Sequence, residues 1–286
     1  MELHNKLAQA ISPNSILPIL GRTNHQVSDH DDGHLNALLD SFHSHELADL
    51  NKANLMDRVD VKFMLPNYLL PTLLRALKFH YSVLEVEQNR ISTYYNEYFD
   101  TPDMSFYYAH HNGRLNRFKV RQRTYVDTNT RFLEVKFKNN QRRTIKRRVT
   151  CPENAKTDMA CQQFIAKKLG NPFAHYCVTQ QSGYRRIALA NEASAERVTI
   201  DFNLWFREND DADKIQPEGF FIAELKQSRR SKLSPFFQLM TEHVISPISF
   251  SKYCIGCALL YQNTLKTNQF KPVLTKLNQF STFTSH

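Results

Sequence analysis

A seven-residue stretch, residues 117–123, carries a cation at every second position. If the stretch is a β-strand, these cations share one face, because side chains alternate between the two sides of a strand. The cations are Arg117, Lys119, Arg121 and Arg123. Like charges along one face repel unless water or an anion lies against them. Guanidinium and ammonium groups both bind phosphate oxygens, so the chemistry that this spacing favours is phosphate binding. Taken alone, the stretch also fits a solvated or nucleic-acid-binding surface.

The same alternation of apolar and charged residues recurs in six further segments. They are residues 58–65, 131–138, 142–149, 178–190, 197–202 and 220–226. In an open sheet with one side in water, the polar side would carry mixed charges, whereas here cations dominate it. We therefore predict an α+β fold built on a closed antiparallel β-barrel. Its lumen is cationic and its helices pack outside, since closure removes the sheet edges.

A lumen lined by cations needs an anionic ligand of matching charge density, because unpaired interior charges cost several kcal/mol each. A chain of phosphates fits best. Four carboxylates fall on the charged faces, namely Asp60, Glu134, Asp201 and Glu224. They are candidate ligands for Mg²⁺ or Mn²⁺, which take one or two carboxylates together with phosphate oxygens. For Glu134 and Asp60, an ion pair with a neighbouring Lys or Arg explains the residue equally well.

Composition points to polyanionic partners without choosing among them. The 286-residue chain has a formal net charge of +9 and a pI near 9.3, which suits nucleic acid, anionic membranes or phosphorylated small molecules. It has only seven glycines, and neither a G-x-G-x-x-G nor a G-x-x-x-x-G-K-[ST] loop occurs. Side chains, not a backbone loop, must therefore bind the phosphates.

The cysteines and the hydropathy pattern predict a cytoplasmic protein. Five cysteines at irregular spacing, with no N-terminal signal before them, indicate a reducing compartment. The lone Cys254-x-x-Cys257 pair has no second pair for zinc, so we expect it to pack in a C-terminal helix. No apolar run approaches the ~20 residues that a transmembrane helix needs.

The elements around the charged strands divide the chain into three parts. Residues 1–45 are predicted to be a weakly ordered arm with one possible helix at 35–42, residues 46–262 the barrel domain, and residues 263–286 a polar tail. Helices are expected at 69–79, 159–169, 235–243 and 253–260. His110 and His111 precede the cationic strand, where a turn-adjacent or surface position is favoured over a phosphohistidine role.

Nine short motifs occur in one order over about residues 46–262. They are Arg58-x-Asp-x-Lys62-Phe, Tyr98-Phe-Asp-Thr-Pro102, Arg117-x-Lys-x-Arg-x-Arg123, Phe132-Leu-Glu-x-Lys136, Thr144-x-Lys-x-Arg148, Tyr184-x-Arg186, Arg197-x-Thr-x-Asp201, Glu224-x-Lys226 and Ser251-Lys252-Tyr253. Together they resemble the polyphosphate polymerase domain of the vacuolar transporter chaperone family, among the triphosphate tunnel metalloenzymes. The chain is similar to a stand-alone member of bacterial type.

The resemblance implies a metal-dependent polymerase that transfers the γ-phosphoryl group of ATP to a growing polyphosphate chain. The residues implied in catalysis are Arg121, Arg123, Lys136 and Lys252, the last of which would guide substrate or chain. Those implied in substrate binding are Arg58, Lys62, Lys119, Lys146, Arg148, Arg186, Arg197 and Lys226. Glu224 would hold Mn²⁺ or Mg²⁺. The implied partners are ATP and inorganic polyphosphate, and coupled export would need a membrane-protein partner.

Two other functions stay open. A triphosphatase would use water as the attacking group in the same tunnel, although Arg58-x-Asp60-x-Lys62 departs from the E-x-E-x-K of the hydrolytic branch. The second of these functions is a non-catalytic barrel that binds polyphosphate or RNA. RNA is disfavoured because the aromatic residues are expected mostly on the core faces, away from the cations.

Overall fold

The computed structural model describes residues 29–49, 59–141, 143–152, 154–229 and 231–283. The strands are β1 (Ser44–His45), β2 (Val59–Pro66), β3 (Ser82–Leu84), β4 (Ser92–Asp100), β5 (Arg117–Tyr125), β6 (Thr130–Lys138), β7 (Thr144–Thr150), β8 (Cys177–Asn191), β9 (Glu196–Arg207) and β10 (Phe220–Gln227). The helices are α1 (Asp29–Asp40), α2 (Leu70–Leu77), α3 (Ser105–His111), α4 (Met159–Leu169), α5 (Pro235–Glu242), α6 (Lys252–Leu260) and α7 (Lys271–Phe283). The α+β class is as predicted.

One antiparallel sheet runs in the order β2-β10-β9-β8-β4-β5-β6-β7, and β3 joins β8 at the side and pairs in parallel with β1. Within the described ranges, no backbone pairing connects the two end strands, β2 and β7. The closed barrel is therefore not confirmed. The sheet is nevertheless strongly curved, because Lys62 of β2 and Lys146 of β7 line the same cavity. Alternation predicts which face each residue occupies, but not whether the first and last strands meet.

The outer face of the sheet is apolar and covered by helices, as predicted. Val120 of β5 packs in one buried cluster with Ile165 of α4, and Phe118 packs against it. On the other half of the sheet, Phe63 of β2 lies in a second cluster with residues of α1, α2 and α5. These positions alternate with the cations, so the predicted direction of the β5 side chains is confirmed.

The inner face, which we define as the face that carries Lys119, Arg121 and Arg123, also bears helices. Ile222 of β10 and Phe206 of β9 lie on this face and pack against α6 and α7 in a third cluster. A Cβ added at Gly256 of α6 would overlap Phe206, so the helix approaches the strands closely. The prediction that all helices pack outside is thus wrong for α6 and α7. Apolar residues interrupt the polar face near the strand ends, and they require cover.

Two terminal segments differ from their predictions. The expected polar tail contains helix α7, whose Val273 and Leu277, four residues apart, are buried. In the expected N-terminal arm, residues 1–28 lie outside the described residues. The possible helix predicted at 35–42 overlaps α1, which begins earlier, at Asp29, and buries Leu39 in the core. The predicted domain boundaries themselves stay a prediction. No helix in the described part of the chain is long and apolar enough to cross a membrane.

Candidate phosphate-binding site

The inner face encloses a cavity of about 210 Å³, here called the cationic pocket. Its charged lining residues come from β2, β5, β6, β7, β8, β9, β10 and the start of α6. They are Asp60, Lys62, Lys119, Arg121, Arg123, Glu134, Lys136, Lys146, Arg186, Asp201, Glu224, Lys226 and Lys252. Nine cations thus face four carboxylates, which leaves a formal excess of five positive charges. A bound polyanion would balance this excess.

Glu134 of β6 is fully buried between two cations. The Arg121 guanidinium donates two hydrogen bonds to Oε2, from Nε at 2.8 Å and from the terminal nitrogen at 2.6 Å, and Lys146 of β7 pairs with Oε1. Burial alone would raise the pKa of Glu134, but the charges of Arg121, Arg123 and Lys146 lower it far below its ordinary value. Glu134 is therefore an ionised partner that fixes the Arg121 side chain.

Asp201 of β9 forms the second such group. The Arg186 guanidinium of β8 holds both carboxylate oxygens, at 2.5 and 2.8 Å, and Lys252 of α6 pairs with Oδ2. Burial opposes ionisation, yet Arg186 and Lys252 lower the pKa of Asp201. Ser251 caps the N-terminus of α6 by accepting from the Cys254 amide, so the helix begins where Lys252 enters the pocket.

Glu224 of β10 has looser partners. Lys226 Nζ lies 2.8 Å from Oε2, and Lys62 Nζ lies 3.7 Å from Oε1. Of these three carboxylates Glu224 is the most accessible, with 18% of its side chain exposed against 4% for Asp201 and 0% for Glu134. Burial raises its pKa, but Lys226 and Lys62 lower it further than burial raises it.

Three cations of the pocket have no carboxylate within ion-pair distance in the described part of the chain. Arg123 donates to Asn96 Oδ1 at 3.0 Å and to the Tyr184 hydroxyl at 2.5 Å, and Lys119 donates to Ser251 Oγ at 2.8 Å. The side-chain ammonium of Lys136 has neither a hydrogen bond nor an ion pair among the described residues. The Arg121 charge and burial lower the pKa of Lys136 well below its ordinary value. At these three positions an incoming anion would form the most favourable new electrostatic contacts.

A second cavity of about 390 Å³ adjoins the cationic pocket, since both are lined by Lys62, Lys119 and Lys136. We call it the acid-free cavity, because no Asp or Glu of the described chain lines it. Its further lining includes His110 of α3 and the cations Arg117 and Lys138. The structure thus provides a cationic path longer than a single pocket.

Most of the predicted site residues meet in the cationic pocket, and three do not. Arg58 lies outside the described residues. The Arg148 guanidinium lies 4.3 Å from the centre of the Phe132 ring. Arg197 of β9 is the neighbour of Lys226 of β10 in the strand pairing, but only Lys226 lines the pocket. Neither Arg148 nor Arg197 lines the cationic pocket or the adjoining acid-free cavity. The roles of all the predicted residues stay predictions, and for Arg148 and Arg197 the binding would have to occur outside the pocket lining.

Sequence reasoning gave no role to the tyrosines of the inner face. Tyr94, Tyr98 and Tyr184 are buried there, and Tyr94 and Tyr184 stack with ring centres 5.1 Å apart. The Arg123 guanidinium lies 5.0 Å from the Tyr94 ring, and Lys252 lies 4.3 Å from the Tyr184 ring. These three tyrosines are exceptions to the expectation that aromatic residues fall mostly on the core faces. The signal was available, because Tyr94 and Tyr98 share the parity of Asn96 on β4, and Asn96 and Tyr98 pair with the inward-facing Arg123 and Arg121.

The two histidines are adjacent to the Asn112-Gly113 turn, as one of the two predicted positions had it, but His111 is not at the surface. Both belong to α3, which the prediction missed because the Asn112-Gly113 turn dominated the local pattern. His111 is buried and its ring nitrogens lie 2.9 Å from Asn112 Oδ1 and 2.6 Å from Asn268 Oδ1. His110 lines the acid-free cavity.

The donor set suits a divalent cation only together with a ligand. No three His, Cys, Asp or Glu residues are grouped for metal binding within the described ranges. Mg²⁺ and Mn²⁺ sites that use substrate phosphates need only one or two carboxylates from the protein. Glu224 fits that requirement because it is accessible and because its partner Lys62 is distant. Cys254 and Cys257 are buried in α6, where the sequence predicts them to pack.

The chain was compared with known proteins. The family model of the VTC domain matches residues 57–261. No curated protein matches the chain. A provisionally assigned adenylate cyclase from Vibrio parahaemolyticus is 15% identical, with 70% of this chain and 97% of that chain covered and a TM-score of 0.43. A protein from Hippeastrum, described as an adenylyl cyclase with dominant triphosphatase activity, is 11% identical over 72% and 97% of the two chains, with a TM-score of 0.49.

Proposed function

This chain belongs to the VTC domain family, and from that premise we propose that it is a polyphosphate polymerase. In the proposed reaction the γ-phosphoryl group of ATP is transferred to the end of a phosphate chain in the cationic pocket. The observation that carries the proposal is the excess of nine cations over four carboxylates, which continues into the acid-free cavity. A site for one triphosphate would not need the additional cationic length.

The residues of the pocket suit phosphoryl transfer because that reaction needs positioning and positive charge more than a general base. Arg121 is fixed by Glu134, and Arg186 by Asp201, so both guanidinium groups are held rigidly in the pocket. Arg123 is held by neutral partners and keeps its full charge for the ligand. Pre-positioned donors of this kind stabilise the charge that spreads over the equatorial phosphoryl oxygens in the transition state.

We propose that Glu224 holds a divalent metal, Mn²⁺ or Mg²⁺, together with phosphate oxygens of the substrate. Such an ion neutralises charge on the β- and γ-phosphate oxygens. Lys62, 3.7 Å from the carboxylate, and Lys226 keep Glu224 ionised in the absence of the ion. Glu134 and Asp201 are less suited to the role, because cations already contact both of their oxygens, whereas only Oε2 of Glu224 has a cation as close as 2.8 Å, and because little of either side chain is accessible.

Incubation with ATP and Mn²⁺ tests the polymerase proposal, with products separated on a gel. The proposal predicts a ladder of long phosphate chains. Release of free phosphate alone would instead indicate a triphosphatase, in which water attacks the same phosphorus atom. If ATP stays intact, the result would instead indicate a non-catalytic polyphosphate-binding protein. RNA binding has little support, because the inner-face tyrosines are buried and cannot stack on bases.

Glu224→Gln separates the metal role from phosphate binding. We expect loss of metal-dependent activity by about a hundredfold or more, as for removal of a main transition-state electrostatic group. The affinity for tripolyphosphate without metal should be unchanged or higher, because one negative charge has left the pocket. The control is Glu218→Gln, which alters an exposed carboxylate just before β10. Wild-type activity of Glu224→Gln at equal Mn²⁺ would refute the assignment.

A further inference from the structure

The most exposed large apolar residues of the described chain lie at the ends of two packed helices on the outer face, α2 and α5. Tyr68 and Phe79 flank α2, and Leu233 and Val244 flank α5. Each of the four is at least 76% exposed, whereas no other large apolar residue within the described ranges exceeds 65%. We call these four residues the apolar corners. None of them belongs to the buried cluster beneath the two helices.

A buried carboxylate fixes the place where the end of α2 meets the start of α5. Glu196 of β9 accepts hydrogen bonds from the Tyr81 hydroxyl and from Ser234 Oγ, the latter at 3.0 Å. The first donor lies two residues after Phe79, and the second directly follows Leu233. The same carboxylate therefore positions both of these corners, so the fold presents them on a rigid support.

Val244 has a backbone conformation that is costly for its residue type. Its φ angle is 55°, in the left-handed region, where the residue after a helix is usually glycine. A β-branched side chain is strained there, and this one gains no burial in return. Packing within the described chain therefore does not account for an apolar residue at this corner, whereas contact with an external apolar phase would.

The segments that carry the apolar corners are cationic. Residues 67–84 and 225–244 together contain six Lys and Arg residues, one of which lines the cationic pocket, and a single carboxylate, Glu242. Lys78 and Lys232 each stand directly before an apolar corner, and Lys78 Nζ lies 5.2 Å from the centre of the ring that follows it. This excess of positive charge is complementary to an anionic partner.

The separation of the corners favours a lipid surface over a protein. Polar side chains lie between them, such as Thr72 and Arg75 on the exposed side of α2 and Gln238 on that of α5. A protein interface concentrates its binding energy in a contiguous, well-packed centre. A bilayer surface accepts separate aromatic and aliphatic anchors, while nearby Lys and Arg side chains contact anionic headgroups.

We propose that the apolar corners and the cations beside them dock this protein on an anionic lipid bilayer. Phe79 and Leu233 enter the interfacial layer, and Lys78 and Lys232 contact the anionic headgroups. This docking is separate from the binding of a phosphate chain, because none of the four corners lines the cationic pocket or the acid-free cavity.

Flotation of the full chain with vesicles tests the docking. The wild type should bind vesicles of phosphatidylcholine and phosphatidylserine, and should bind vesicles of phosphatidylcholine alone much more weakly. The double variant Phe79→Ser and Leu233→Ser should bind the anionic vesicles about tenfold or more weakly, because its anchors gain less on leaving water. The control, Leu47→Ser and Met159→Ser, removes two exposed apolar side chains elsewhere. Equal binding of the two double variants would overturn the proposal. So would a wild type that does not bind anionic vesicles, which would favour a protein as the occupant.

The cations are tested in the same assay. Lys78→Gln with Lys232→Gln should weaken binding to anionic vesicles about fivefold for each cation. Lys167→Gln with Lys266→Gln removes equal charge at exposed positions elsewhere and should have a smaller effect. Saturating tripolyphosphate at constant ionic strength should leave the wild type on the vesicles. Its displacement would overturn the proposal, because the headgroups would then bind in the cationic pocket.

Insertion can be observed with a tryptophan at one corner. Phe79→Trp adds a second tryptophan to Trp205, the only one in the sequence. Anionic vesicles should shift the added emission to shorter wavelength, whereas the parent protein should show no such shift. An unshifted emission from vesicle-bound protein would overturn the proposal, because docking would then not involve this corner. None of these measurements uses ATP, so failure of the docking proposal and failure of the polymerase proposal are distinguishable.

Discussion

Lys119, Arg123 and Lys136 are the residues for which the ligand-free state is least favourable. None of the three has a carboxylate within ion-pair distance among the described residues, whereas Arg121, Lys146, Arg186 and Lys252 each have one. Buried charge without a partner destabilises a fold, and the loss is offset only when an anion binds. At this scale, binding and stability should therefore respond in opposite directions to the same substitution.

Lys136→Met tests this opposition in the absence of ligand. Removing a buried ammonium that has no partner among the described residues should raise the free energy of unfolding by about 1 kcal/mol. Urea unfolding in phosphate-free chloride buffer measures the change. Lys266→Met replaces an exposed lysine and should leave the midpoint within error. A clear fall in stability of Lys136→Met would mean that the ammonium is well compensated.

Two lysines of the pocket, Lys119 and Lys146, contribute to the pH dependence of binding. Burial lowers the pKa of both Lys119 and Lys146 to about 8 in the free protein. A bound polyanion stabilises their charged forms and raises those pKa values, so binding takes up protons above pH 8. The affinity for tripolyphosphate should fall between about pH 8 and 10, by up to about tenfold per unit for each lysine.

Calorimetry at constant ionic strength and without metal measures that slope. The double variant Lys119→Gln and Lys146→Gln should bind more weakly at pH 7 and should lack the decline that these lysines cause. An identical pH dependence in the wild type and the double variant would contradict the assignment.

At the scale of elements, α3 and α6 are joined through Asp100 at the end of β4. The Asp100 carboxylate accepts from the backbone amides of Phe106 and Tyr107 at 2.8 and 2.9 Å, and also from the Tyr253 hydroxyl of α6. Tyr253 follows Lys252 directly and stacks on Tyr98, with ring centres 5.2 Å apart. One buried carboxylate thus positions the helix that carries His110 and the helix that carries Lys252.

Tyr253→Phe removes one bond of that junction while keeping the ring stacked on Tyr98. Loss of a hydrogen bond to a buried carboxylate should lower the free energy of unfolding by about 1–3 kcal/mol. Urea unfolding is the measurement, and Tyr68→Phe at an exposed tyrosine is the control. Equal stability of the two variants would show that the bond contributes nothing.

At the scale of the whole molecule, the site exists only when the sheet is assembled. Lys62 of β2 and Lys146 of β7 belong to opposite ends of the strand order, yet they line one cavity. Helices on the outer face cover the apolar side of the strands, and α6 and α7 occupy part of the inner face. The remaining inner space is the cationic pocket and the acid-free cavity.

Alternation along single strands was enough to predict much of this arrangement. It placed Lys119, Arg121 and Arg123 inward and Val120 under α4, and the nine motifs gave the family, which the match over residues 57–261 confirms. Closure of the sheet depends on pairing between strands far apart in sequence, which alternation does not encode. Helix α7 escaped prediction because it buries only a narrow stripe that includes Val273 and Leu277.

The central claim is that cations inside the curved sheet, not those on its outside, hold a phosphate chain. Calorimetric titration with tripolyphosphate in metal-free buffer tests it most directly. The triple variant Lys119→Gln, Arg123→Gln and Lys136→Gln should lose affinity about a hundredfold or more, since each charge-assisted bond contributes about 1.5–3 kcal/mol. A second triple variant with equal charge loss, Lys167→Gln, Lys232→Gln and Lys266→Gln, alters only exposed lysines and should bind like the wild type. Equal affinities of the two triple variants would contradict the account.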